Sequence, residues 1–282
     1  MKKINLSKDG TIPRSREIYF YVIMGYIYYW LNNIIHSMEN HVEISNQINN
    51  KNTFKLDIIS NATGGDVTKN DAIMKHLPNN PLNDDIFKAA KNGTPLITLG
   101  DGSKPRVMIT AGMHGDELAP QIAALILINE LYSKKINGTV YIIPFVAPEA
   151  SAENNKLFNG KNLNLMGNIP GNPANVVFKT IQRLNIVAMA DCHSTSTDPA
   201  KNSIIYYPKI ASSKIAVYIN KRTNSTLLAL IQYSGMLIVL CNSHKIPSVI
   251  CEVTSPDGVA SKESVNVSYN QMKAFLEYHQ IL

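Results

Sequence analysis

Three stretches of this sequence end an apolar run with a residue able to bind a metal ion or move a proton. The first is Val107-Met-Ile-Thr-Ala-Gly-Met-His-Gly-Asp-Glu117, where His114 and Glu117 stand at H-x-x-E spacing at the expected start of a helix. Across such a turn an imidazole and a carboxylate can converge on one point, although H-x-x-E alone is a common pattern. The second is Ile186-Val-Ala-Met-Ala-Asp-Cys-His-Ser-Thr-Ser196, an apolar strand running out into His193. Strand alternation sets Asp191 and His193 on one side and Cys192 on the other, which makes a Cys192–His193 nucleophile pair geometrically poor. Asp191 is placed to hold the His193 ring, as metal-bound imidazoles require, and buried Asp–His pairs also occur with a purely structural role. The third is Ile246-Pro-Ser-Val-Ile-Cys-Glu-Val-Thr-Ser-Pro-Asp-Gly258, with Glu252 embedded in an apolar strand and its nearest preceding cation, Lys245, lying before the strand. A carboxylate there is costly unless it is paired or used. Two histidines and one glutamate form the ligand set of a catalytic zinc that keeps a position open for water.

These residues must be positioned by their elements. The pattern predicts strands over 96–99, 107–111, 139–146, 186–191, 204–207, 236–240 and 249–253, with a strand-like run over 54–59. Helices are expected over 84–92, 117–134, 175–184, 214–222 and 264–279, with Lys134 and Lys135 in the last turn of the second and Gly138 beyond it. Alternating strands and helices predict an α/β fold with a mixed, mostly parallel sheet flanked by helices.

The 282 residues are 45% hydrophobic and 17% charged, which suits a folded chain with a full core and excludes a mainly disordered one. The net charge of +6 invites a nucleic-acid partner, but 22 of the cations are Lys and five are Arg. They are scattered, with Lys2-Lys3, Lys134-Lys135 and Lys221-Arg222 as the only doublets. Phosphate-tracking surfaces cluster such residues, so no nucleic-acid partner is expected. Cys192, Cys241 and Cys251 match no zinc-finger spacing and no closed disulfide framework, and point to a reducing compartment. A cytoplasmic location is expected on that ground.

Residues 18–38 form the one long uncharged run, IYFYVIMGYIYYWLNNIIHSM. Its six Tyr and Trp residues, Asn32, Asn33 and His36 fit a docked or interfacial helix better than a bilayer span or a signal peptide. A membrane- or wall-associated protein is the alternative that this run raises, and the run resembles Tyr-rich helical repeats with which some archaeal enzymes bind pseudomurein. A boundary near residue 50 then separates a helical extension, 1–50, from a catalytic domain, 51–282.

Taken together, His114-x-x-Glu117, Asp191-x-His193 and Glu252 with its following glycine loop resemble the zinc carboxypeptidase superfamily, and within it the succinylglutamate desuccinylase and aspartoacylase branch. The likeness runs from Leu96 to the C-terminus, about two thirds of the chain. It implies one zinc ion held by His114, Glu117 and His193, with Glu252 as general base, acting on an amide bond of a small-molecule or peptide substrate. The family's Asp-Leu-Asn-Arg segment reads Asn162-Leu163-Asn164-Leu165 here, followed by Ile169-Pro170-Gly171. Asn164 is kept, but the arginine that grips a substrate carboxylate is Leu165. The upstream arginine is also missing, and Lys156 is the nearest cation by alignment. Lysine lacks the bidentate guanidinium fork, so a planar carboxylate clamp is not expected from it. Lys156 and Asn164 are the candidates to steady an oxyanion. His244, Tyr206 and Tyr207 rank lower as pocket residues, and His36, His41, His76 and His279 have no evident partner. The competing reading is a non-catalytic binding or scaffold protein on a hydrolase fold.

Overall fold

The computed structural model describes residues 53–196, 202–230 and 233–282. The extension expected over 1–50, with the run 18–38, lies outside the described residues. Eight strands form one sheet: β1 (Phe54–Ser60), β2 (Thr94–Gly100), β3 (Arg106–Thr110), β4 (Thr139–Ile143), β5 (Ala188–Thr195), β6 (Ser203–Tyr206), β7 (Thr226–Ala229) and β8 (Ser248–Thr254). Their order is β1-β2-β4-β3-β5-β8-β6-β7. The central run β4-β3-β5-β8 is parallel, while β1-β2, β2-β4 and β8-β6 are antiparallel. This is the mixed, mostly parallel sheet that the pattern predicts.

Eight helices accompany it among the described residues: α1 (Asp71–Met74), α2 (Pro81–Asn92), α3 (Leu118–Tyr132), α4 (Pro148–Ala152), α5 (Pro173–Arg183), α6 (Ile210–Thr223), α7 (Leu237–Ser243) and α8 (Lys262–Tyr278). Their ends are written in the sequence. Asn80 accepts from the Asn83 N–H before α2, and Asn172 accepts from the Ala174 N–H before α5, each with a proline at the first helical position. Ser261 and Ser264 cap α8 reciprocally.

The pleat sorts the strand residues between two cores. Val107 and Ile109, Ala188 and Ala190, and Val249 and Cys251 face α2, α3, α6 and α8. Met108 and Met189 face the opposite way, with Ile143, toward α4, α5 and α7. Helix α3, apolar over 118–128 save for Gln121, is correspondingly buried along most of its length. It carries the chain from β3 to β4 on one face, and α4 and α5 return it to β5 on the other. The chain therefore switches direction between β3 and β5, and the carboxyl ends of such strands are where open α/β sheets bind ligands.

Some elements differ from the sequence expectation. The run 236–240 is not a strand but the start of α7, and Cys241 is buried in that helix. Leu237, Ile238, Cys241 and Asn242 are its buried residues, a helical spacing that a short all-apolar run does not reveal. Strand β4 stops at Ile143 because Pro144 has no N–H for the ladder. Strand β5 runs on through His193 to Thr195, since β8 pairs with it residue by residue to Thr254. Edge strand β7 and the short helices α1 and α4 carry no periodic signal. No helix among the described residues is long and apolar enough to cross a membrane.

Candidate metal centre

The turn 111–117 joins the carboxyl end of β3 to α3. Gly112 takes φ +70°, and a Cβ there would stand 3.0 Å from the Phe145 Cα. At Gly115 a Cβ would fall 2.1 Å from the Ala150 carbonyl carbon, so the turn can lie on α4 only with glycine at this point. The Gly115 N–H donates to the Asn155 carbonyl at 2.9 Å. Gln121, fully buried in α3, folds its amide back and donates to the carbonyls of Gly115 at 3.0 Å and Glu117 at 2.9 Å. These contacts fix the turn that carries His114 and Glu117.

From the other side, β5 supplies Asp191 and His193 on the face of Met189, as alternation requires, while Cys192 turns into the opposite core beside Cys251. Thr110 at the end of β3 donates its hydroxyl to Asp191 Oδ1 at 2.6 Å. The free oxygen, Asp191 Oδ2, lies 3.2 Å from His193 Nε2, a charge contact without the alignment of a hydrogen bond. Glu252 is the register partner of His193 on the parallel strand β8, so both side chains leave the sheet on one face.

Glu117 is the hub. Its Oε1 stands 2.6 Å from His114 Nδ1, and its Oε2 stands 2.8 Å from His193 Nδ1 while accepting the Ser194 N–H at 3.1 Å. His114 Nε2 lies 2.8 Å from Asn162 Oδ1, which also accepts the Asn164 N–H at 3.0 Å. Burial opposes charge on Glu117, but the two imidazoles, above all His193, hold its pKa at about 2. Burial likewise opposes charge on His193, and the Glu117 and Asp191 carboxylates outweigh it and raise the pKa well above the ordinary value. At Glu252 burial dominates; the histidines pull the other way, but with Glu117 and Asp191 adding to it the carboxyl is pushed up to about 7.

These residues fit a metal ion. Ligand atoms from His114, Glu117 and His193, all buried, lie within 4.8 Å of one another. A backbone N–H bonds Asn162 Oδ1, so that atom is an oxygen and the ring nitrogen facing it must be the N–H donor. This leaves the His114 Nδ1 lone pair aimed at a carboxylate oxygen 2.6 Å away, a contact that needs a cation between the two atoms. An added ring proton meets that need at 2.6 Å, and a divalent ion would meet it with the two atoms moved apart. The set of two imidazoles and a carboxylate, with an oxygen facing the far nitrogen of each ring, suits zinc.

Residues 103–196 match the model of the succinylglutamate desuccinylase/aspartoacylase catalytic domain. That stretch contains His114, Glu117, Lys156, Asn162, Asn164, Asp191 and His193, and ends before Glu252. The resemblance to this family holds. No functionally curated protein matches the sequence. Among solved structures, a succinylglutamate desuccinylase from Silicibacter sp. TM1040 superposes with a TM-score of 0.59 at 18% identity, over 68% of this chain and 63% of that one. A product-bound ectoine utilization protein from Ruegeria pomeroyi gives 0.59 at 19% identity, over 68% and 63%. A metallo-carboxypeptidase from Burkholderia cenocepacia gives 0.51 at 17% identity, over 66% and 60%. All three share the fold, and this chain spans less than two thirds of the length of each.

The remaining candidates scatter. Lys156 is exposed on the loop after α4, where its charge acts on Asp116, a buried carboxyl whose pKa is raised by burial and by Asp257 and Glu117. Asn164 is half-buried beside Asn162, and its Oδ1 has no partner among the described residues. Leu165 is 45% exposed. His244 ends α7, bonded to the Leu240 carbonyl and packed on Phe178. Tyr207 lies under Lys209, and His76 bonds the Ala260 carbonyl. Asn162 and Gln121 are the residues that sequence reasoning missed. Gln121 had a signal, an amide within the apolar run 118–128, and Asn162 stands at the position of the Asp in the resembled family's segment.

Proposed function

We propose that the protein is a zinc-dependent hydrolase of an amide bond, a deacylase of N-acyl amino acids or a carboxypeptidase-like enzyme. One observation carries the reading: the Nδ1 atoms of His114 and His193 close on the two oxygens of Glu117, with Glu252 beside His193 on the same face. His114, Glu117 and His193 hold the ion, one per chain, and Asp191 orients His193. A zinc ion there supplies Lewis acidity toward a carbonyl oxygen and makes neighbouring water more acidic.

In this reading Glu252 takes a proton from the attacking water as its oxygen bonds to the scissile carbonyl carbon. The same carboxyl passes that proton to the nitrogen as the C–N bond breaks. A carboxyl whose burial lifts its pKa to about 7 is suited to both accepting and releasing a proton near neutrality. Asn164 or Lys156 steadies the developing oxyanion. Leu165 offers no fork for a substrate carboxylate, so acyl chains ending in an acid are not the expected preference. Substrates are small molecules or peptides.

The test is zinc content beside hydrolysis of a panel of N-acyl amino acids and short peptides, for the native protein and Glu252→Gln. The variant should keep its zinc and lose at least about 100-fold in turnover. A protein that takes up no zinc when it is offered sinks the reading, and a fully active variant sinks the role of Glu252.

A further inference from the structure

Asp116 stands in the turn between His114 and Glu117 and has a buried oxygen that nothing meets. The residue is 8% exposed, and its Oδ1 has no hydrogen-bond partner among the described residues. A carboxylate so placed costs free energy unless a cation or donors reach it. Asp257 and Glu117 add like charge beside it, and Lys156, exposed on its loop, offsets part of this by its own charge. The two histidines do not serve Asp116, because both Nδ1 atoms close on Glu117.

The backbone holds both acids in place. The Gly115 N–H donates to the Asn155 carbonyl at 2.9 Å, and the Asp116 carbonyl accepts the Gly258 N–H at 2.8 Å. Asp257 sits at the tip of a turn after β8. There the Val259 N–H donates to the Pro256 carbonyl at 3.2 Å, and the Ser255 hydroxyl to the Val259 carbonyl at 2.9 Å. The Ser255 N–H ties the base of that turn to the Thr195 carbonyl at the end of β5, at 3.0 Å. The loop that follows Glu252 therefore brings Asp257 to the turn that carries His114 and Glu117.

We propose that Asp116 and Asp257 form a subsite for a positively charged group of the substrate, an ammonium or guanidinium carried close to the amide that is cut. The subsite deepens the hydrolase reading above and rests on it. Asp116 supplies a fixed, largely dehydrated carboxylate, where attraction is stronger than in water. Asp257, exposed, adds an attraction that salt screens.

Two pairs of compounds that differ by one charge test it: Nα-acetyl-lysine against N-acetyl-norleucine, and glycyl-leucine against N-acetyl-leucine. The first pair puts the cation on the amine side of the amide, the second on the acyl side. Dissociation constants are measured by calorimetry on zinc-loaded Glu252→Gln protein, so the comparison does not depend on turnover. The cationic member of at least one pair should bind about 10- to 100-fold tighter, the range for a charged hydrogen bond. Adding Asp116→Asn should abolish that ratio, Asp257→Asn should lower it a few-fold, and salt should erode the share due to Asp257. Lys156→Met should leave the ratio standing.

Equal affinities within both pairs overturn the proposal, and so does a ratio that survives Asp116→Asn. If Asp116→Asn does not fold, an undiminished ratio in Asp257→Asn overturns it. A ratio lost in Lys156→Met, or a second zinc per chain that Asp116→Asn removes, means that the acids serve the lysine or a metal and overturns it too. Native protein that binds no zinc and cleaves none of these compounds would instead refute the hydrolase reading itself.

Discussion

His193 sits inside β5, with its partner Asp191 two residues before it on the same strand and the Thr110 hydroxyl one strand away. His114 sits in a turn, held by Gly115 against α4, by Gln121 from α3, and by Asn162 from a separate loop. Both rings present Nδ1 to Glu117, yet one arm is set by the pleat of a hydrogen-bonded sheet and the other by contacts gathered from three places in the chain. A strand fixes a side chain's direction by alternation alone, whereas a turn has no such rule and must be braced.

The sharpest break of this comparison is at the ligands. His193→Ala should lose its zinc outright, while His114→Ala should retain a weak residue of binding, measured as metal per chain by plasma mass spectrometry. The reverse order would mean that the turn, not the strand, is the stronger arm. Next in size is Gly115→Ala, whose Cβ would overlap the Ala150 carbonyl carbon at 2.1 Å. It should destabilise the protein by about 3 kcal/mol and release zinc, because backbone on both sides has to move. Urea unfolding beside metal content reads both effects.

Thr110→Val attacks the strand arm more gently, removing the 2.6 Å bond to Asp191 while keeping the shape. The buried carboxylate is left short of a donor, at a cost of about 1–3 kcal/mol in the same unfolding experiment. The smallest effect on the metal centre belongs to neither arm. His279, packed on Phe275 and Tyr278, has its pKa lowered by burial from 6.5 to about 4. Above pH 6.5 it is neutral whether folded or unfolded; as pH falls from 6.5 toward 4 only the unfolded chain takes up the proton. Stability should then drop by at most about 1.4 kcal/mol per pH unit, and His279→Phe should remove that slope without touching zinc.

The strand arm is legible in the sequence because period-two alternation is local. Alternation alone places Asp191 and His193 together with Cys192 opposite, and apolar flanks mark β3, β5 and β8. The turn arm is half legible. H-x-x-E marks His114 and Glu117, but nothing local says that Asn162 comes to rest against His114 or that Gln121 reaches back to the turn. Residues 236–240 mislead for a related reason, since five apolar residues fit a buried strand and a buried helix equally well.

By itself, then, the sequence determined the α/β class, the apolar strands, the helix caps and the side-chain types able to meet at a metal. These follow from short-range periodicity and capping chemistry. Tertiary structure alone decided the strand order that brings β3, β5 and β8 side by side, the register that sets Glu252 against His193, and the loop that carries Asn162 to His114. Those depend on packing and hydrogen bonds between residues far apart in the chain, where local pattern carries no information.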